Sequence, residues 1–168
     1  VSSSRSMPRL LIVNRAQAPY YKALYSALAI ELGPGWEVRL QTLDKHWDGY
    51  HEMRFRRDLV IPGGMEVEEF RTRLLPKIGA APTPGMARSL RDFCPDVMVV
   101  HETSFFNLWA FLARLRTPRC PLVLSTEIGE GNRHSGGFPA YARLARRLAT
   151  PLVDGVIAHS PDDVGSDL

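Results

Sequence analysis

Short continuous apolar runs alternate along the chain with stretches in which apolar residues return every three or four positions. Leu10-Leu11-Ile12-Val13 is the first run, suited to a strand buried on both faces. Tyr21, Leu24, Tyr25, Leu28 and Leu32 then recur at helical spacing, and Gly33-Pro34-Gly35 stops that helix. Trp36, Val38 and Leu40 alternate with Glu37, Arg39 and Gln41, the pattern of a half-buried strand nearer the sheet edge. Residues 44–56 are polar and irregular, and Leu59-Val60-Ile61 predicts a further strand stopped by Pro62-Gly63-Gly64. Val67, Phe70, Leu74 and Ile78 form the next amphipathic helical stripe.

Thr83 and Pro84 open another helix as cap and first position, with Met86, Leu90 and Phe93 on its apolar face. Val97-Met98-Val99-Val100 is a buried strand. Ser104 is placed to cap a helix that runs to about Arg116, apolar almost all round and therefore expected to be sandwiched in the core. Leu122-Val123-Leu124 is a strand. Tyr141, Leu144, Ala145 and Leu148 line a helix whose other faces carry Arg143, Arg146 and Arg147, and Val156-Ile157-Ala158 is the last strand. This alternation predicts the α/β class: a Rossmann-like, doubly wound parallel sheet of about six strands with helices on both faces. Residues 1–8 read as a disordered tail, with Met7 as a natural start, and residues 9–168 as one domain.

Composition narrows the choice of function. The 168 residues include 21 Lys+Arg and 18 Asp+Glu, for a formal net charge of +3. That excess is too small to argue for nucleic acid. Eighteen of the cations are arginines, and Lys22, Lys45 and Lys77 are the lysines. A mildly basic surface suits nucleotides, phospho-sugars or an anionic membrane face. The two cysteines, Cys94 and Cys120, exclude a disulfide-dense scaffold and point to a reducing compartment. The apolar stretch Phe105–Leu115 is well short of the ~20 residues of a membrane span.

In open parallel sheets, ligands bind outside the carboxyl ends of the strands. Five segments qualify: Asn14–Tyr20, Pro62–Met65, His101–Ser104, Ser125–Gly137 and His159–Asp163. They bring Asn14, Arg15, Gln17, Tyr20, His101, Glu102, Thr126, Glu127 and Ser160 to one rim. The loop Glu127–Gly137 is long, rich in glycine and mixed in charge, a composition suited to a functional loop as well as to a plain connection. No G-x-G-x-x-G follows the first strand, and no P-loop or G-x-S-x-G occurs, which disfavours dinucleotide binding, P-loop chemistry and a serine hydrolase. His46, Asp48, His51 and Glu52 lack a recognisable metal-ligand spacing. No metal or cofactor is expected.

With these segments in order, the chain resembles the family-four type glycosyltransferases of the GT-B fold. Leu10 to Leu28 (LLIVNRAQAPYYKALYSAL) resembles their opening, and Pro19-Tyr20-Tyr21-Lys22 is similar to the Pro-Tyr-basic cluster that starts the first helix. Pro95-Asp96-Val97-Met98-Val99-Val100-His101 is similar to a "PDVVxxH" strand. Asn107–Arg116 followed by Pro121-Leu122-Val123-Leu124 also fits, and Asp154-Gly155-Val156-Ile157-Ala158-His159-Ser160 resembles the strand closing the N-terminal half. Many relatives carry His-Gly where this chain has Glu127-Ile128-Gly129.

The resemblance implies the N-terminal, acceptor-side domain of a retaining enzyme. Such an enzyme moves a sugar from a nucleotide diphosphate-sugar to a hydroxyl of a glycan, glycolipid or small molecule. A second half, not present in these 168 residues, would grip the donor, so the isolated domain is expected to be inactive. By the same resemblance Glu127 and then Glu102 are the candidate catalytic carboxylates, while Asn14, Arg15, Gln17, Tyr20, His101, Thr126 and Ser160 would bind substrate. The implied setting is cytoplasmic polysaccharide or glycolipid synthesis at the inner membrane face. Arg143, Arg146 and Arg147 form either a solvated face or a patch for anionic headgroups, and a homodimer would hide a face left open without the second half. The rival from another class is a non-catalytic α/β binding or assembly module.

Overall fold

The computed structural model describes residues 7–14, 19–43, 65–75, 79–81, 83–101, 105–117, 119–126 and 147–158. The strands are β1 (Arg9–Val13), β2 (Glu37–Leu43), β3 (Glu66–Phe70), β4 (Leu74–Leu75), β5 (Gly79–Ala80), β6 (Val97–His101), β7 (Leu122–Thr126) and β8 (Gly155–Ala158). The helices are α1 (Pro19–Leu32), α2 (Pro84–Phe93) and α3 (Leu108–Arg116). Six strands form one sheet in the order β3-β2-β1-β6-β7-β8, every neighbouring pair parallel. The pair β4-β5 is a separate antiparallel ribbon. The expected Rossmann-like sheet is therefore present, with its order reversing between β1 and β6.

The continuous apolar runs exist because β1 and β6 sit in the middle of the sheet and are covered on both faces. Leu10 and Ile12 pack with Val38, Leu40 and α1 residues Tyr25 and Ala29. Leu11 and Val13 point the other way, into a cluster with Leu43, Met98, Val100, Leu122 and residues of α2 and α3. Helix α1 thus covers one face and α2 with α3 the opposite one. Gly33 ends α1 with φ +58, a left-handed conformation glycine adopts without strain.

Several expectations need correction. The stripe Val67, Phe70 and Leu74 is not a helix: Glu66–Phe70 is the edge strand β3 and Leu74–Leu75 is β4. Val67 joins the α1-side cluster and Phe70 the α2/α3-side cluster. Residues three apart in a strand lie on opposite faces, and two singly buried positions at that spacing imitate a helical period. Met65 consequently precedes a strand and is buried in the core, rather than lying at a carboxyl-end rim. Leu59–Ile61 lies outside the described residues. Strand β2 is an inner strand, with Gln41, Thr42 and Leu43 all buried, because β3 takes the edge.

Other corrections are local. Thr83 precedes α2 in an extended conformation but makes no side-chain cap hydrogen bond; its carbonyl accepts the Met86 N–H at 3.1 Å instead. Helix α3 is not sandwiched, since it buries Ala110 and Phe111 while Leu112 and Leu115 are exposed. A nine-residue helix lying on one sheet face has a solvent side whatever residues occupy it. Leu148 is exposed and its neighbour Ala149 takes the buried place. Among the described residues, no helix is long and apolar enough to cross a membrane.

A polar network fastens the edge strand. Arg39 bonds Glu66 through Nε at 3.0 Å and lies over the Phe93 ring, 4.3 Å from its centroid. The Ser89 hydroxyl of α2 donates to Glu68 of β3 and accepts from Gln41 Nε2 at 3.0 Å. At the opposite edge, Asp154 accepts the Leu122 N–H at 2.9 Å and is gripped by Arg114 at 3.1 and 2.9 Å. The Leu122 amide, then Arg114, hold its carboxyl below the usual carboxylate range. A depressed carboxyl contributes stability above its unfolded pKa, and that contribution fades as pH falls through the folded value. Below about pH 4, the thermal midpoint of the parent chain is expected to drop more steeply than that of Asp154→Asn. Parallel melting curves from pH 6 downward check this, and equal slopes would remove the assignment.

Candidate functional site

The site follows from register. Val13 pairs with Val100 and with Gln41, and His101 pairs with Ser125. One residue beyond Val13, Asn14 comes level with His101 on one side and Thr42 on the other, and its N–H extends the ladder to Gln41 O at 3.0 Å. Thr42, Asn14, His101 and Ser125 therefore make one row across β2, β1, β6 and β7, at the carboxyl edge and astride the reversal of strand order. Side chains alternate along strands, and each of the four shares the face on which α1 packs. All four are buried. Buried polar groups are kept only where hydrogen bonds compensate them.

Partners are visible for most of the row. Asn14 Nδ2 donates to the Tyr25 hydroxyl of α1. His101 Nδ1 lies 3.2 Å from Ser125 Oγ, and the His101 carbonyl accepts Asn107 Nδ2 at 2.6 Å. Asn107 opens α3, so that bond ties the helix start to the end of β6. The Thr42 hydroxyl is buried without a hydrogen-bond partner among the described residues. The row presents hydroxyls, an amide and an imidazole, a donor and acceptor set suited to a polyhydroxylated ligand.

The structure brings together Asn14 and His101 of the expected site. Thr126 ends β7 but alternates with Leu122 and Leu124, which face the α2/α3 side; its hydroxyl is buried there without a partner among the described residues. Tyr20 lies in the first turn of α1. Arg15, Gln17, Glu102, Glu127 and Ser160 lie outside the described residues, as do His46, Asp48, His51, Glu52 and the whole loop Glu127–Gly137. Sequence reasoning missed Thr42, Ser125, Tyr25 and Asn107 as members of the site. Thr42 and Ser125 join the row through strand register, by which Asn14 comes level with Thr42 and His101 pairs with Ser125. Among the described residues, no group of three His, Cys, Asp or Glu side chains could hold a metal. Burial pushes the Cys120 thiol up to about 11, which keeps it protonated near neutral pH.

A sequence model described as a glycosyl transferase 4-like domain matches residues 16–165. The chain belongs to that family. Among solved structures, this glycosyl transferase 4-like domain superposes on a UDP-N-acetylglucosamine 2-epimerase with TM-score 0.58 at 14% identity, over 93% of the domain and 43% of that structure. It superposes on the UDP-GlcNAc 2-epimerase from Neisseria meningitidis bound to UDP-GlcNAc with TM-score 0.57 at 17% identity, over 92% and 40%. For Arabidopsis thaliana UGT89C1 complexed with UDP the values are 0.53, 12%, 92% and 45%. At these identities the likeness is one of fold. The domain spans less than half the length of each of these structures. No curated protein sequence matches it.

Proposed function

We propose that this glycosyl transferase 4-like domain is the N-terminal, acceptor-binding half of a retaining two-domain GT-B enzyme. That enzyme transfers a sugar from a nucleotide diphosphate-sugar to a hydroxyl acceptor. The observation carrying this reading is the buried polar row Thr42–Asn14–His101–Ser125 at the reversal of strand order, in a chain of this family. Such a crevice is where open α/β sheets take their ligands.

In this reading the row orients the acceptor, so that its attacking hydroxyl meets the anomeric carbon of a donor held by a second domain. Orientation of that kind can supply a large part of the rate. Asn14 and His101 bind sugar or acceptor hydroxyls. Arg15, Gln17, Tyr20 and Ser160 complete substrate binding, and Glu127 with Glu102 offsets charge at the reacting centre. The enzyme works on the cytoplasmic side, at the inner membrane face, on a glycan or glycolipid acceptor. Solved structures of the same fold are described as bound to UDP-GlcNAc and to UDP, which supports a nucleotide-sugar for the complete enzyme.

Calorimetric titration with UDP- and GDP-sugars tests the proposal. The expected result is binding by a protein containing both halves and none by this domain alone. Failure of both to bind would instead favour a non-catalytic α/β module.

A further inference from the structure

Helices α2 and α3 leave a cleft of about 460 Å³ between them, within the ~300–1,000 Å³ of small-molecule sites. Residues that precede β6 and β7, such as Pro95 and Cys120, line one end of it. The cleft therefore lies at the amino-terminal end of the strands, away from the polar row. Leu90, Trp109, Leu112 and Ala113 give it an apolar wall, and Arg91, Arg116 and Arg119 are the cations that line it.

The charges of this cleft are unbalanced. Arg91, Arg116 and Arg119 are exposed, and none forms an ion pair among the described residues, whereas nearby Arg114 is held by Asp154 at 2.9 Å. The acid of the lining, Asp96, is engaged elsewhere, since its Oδ2 accepts the Arg9 N–H at 2.9 Å. A further polar group faces the same problem: the Trp109 Nε1–H is buried with no hydrogen-bond partner among the described residues. Three unpaired guanidinium groups and an indole donor beside an apolar wall complement a ligand with one anionic head and a hydrocarbon chain.

We propose that the α2/α3 cleft binds a single-chain amphipathic anion, an alkyl or acyl chain carrying a phosphate or carboxylate. The chain lies along Leu90, Leu112 and Ala113, and the head meets Arg116 and Arg119. The site is separate from the polar row and does not depend on the transferase reading.

The test is equilibrium binding of dodecyl phosphate to the full chain, below the micelle concentration. Dodecyl maltoside and inorganic phosphate serve as controls. Saturable binding at one molecule per chain is expected, with neither control binding comparably. Arg116→Gln/Arg119→Gln should weaken it roughly five- to tenfold. Leu112→Asp, at an exposed position, should weaken it at least as much with an unchanged thermal midpoint. Equal binding of dodecyl maltoside, unchanged affinity in both variants, or association with anionic vesicles without saturable binding of the monomer would each overturn the proposal.

Discussion

Phe106→Ala is expected to cost about 3–5 kcal/mol and to leave the domain largely unfolded at physiological temperature. Phe106 is the largest fully buried side chain among the described residues, at 0% exposure. It sits in the cluster that joins Leu11, Val13, Met98 and Val100 to α2 and α3. Truncation removes its own burial and opens a void that the central strands cannot collapse into, because the sheet hydrogen bonds fix them. The neighbouring residue adds a second effect. Asn107 Nδ2 holds the His101 carbonyl, so loosening this turn also frees the end of β6. Chemical denaturation should show a lower midpoint, and a loss below about 1.5 kcal/mol, the range of conservative core swaps, would mean the site relaxes more than its burial implies.

In the intact enzyme, His101→Gln is expected to lower kcat/KM by roughly 10- to 100-fold, the loss of one or two hydrogen bonds to substrate. Glutamine keeps an amide that can reach Ser125 Oγ, so the row stays satisfied and the fold is retained. What it loses is the second ring nitrogen and the rigid placement of the imidazole. Steady-state kinetics beside a thermal melt separate the two roles. A full-activity variant would take His101 out of the site. A large fall in midpoint with kcat/KM unchanged would make it a core histidine.

The sheet was readable because buried strands and amphipathic helices have different periods, and Leu10–Val13, Val97–Val100 and Leu122–Leu124 have unambiguous ones. The edge was less legible. Val67 and Phe70 serve opposite faces of β3, and Glu66, Glu68 and Arg39 are polar because they bond across the β2–β3 edge; nothing local to that sequence says so. The rim was legible as a place and only partly as a set of residues. Asn14 and His101 follow apolar runs, so the end of the run marks them. Thr42 and Ser125 belong with them through register, which is a property of pairing between distant segments. Sequence reasoning singles out Thr126 rather than Ser125, and one residue along a strand reverses the face.

The strand order also has a kinetic side. The central pairing of β1 with β6 joins segments far apart in the chain: Arg9 and Asp96, bonded at the start of that pair, are 87 residues apart. The β2–β3 contacts span only about a third of that, with Arg39 and Glu66 separated by 27. Closing the longer loop is the entropically dearer step, and non-local parallel pairing is slow. During synthesis the first three strands emerge and can pair while the inner edge of β1, whose Leu11 and Val13 face the still-uncovered α2/α3 side, waits for its neighbour. An unpaired apolar edge of this kind is a template for association with other chains. The joint that creates the crevice thus becomes available on the ribosome only well after the β1–β2 and β2–β3 pairs, and β1 stays open to misassembly until it closes.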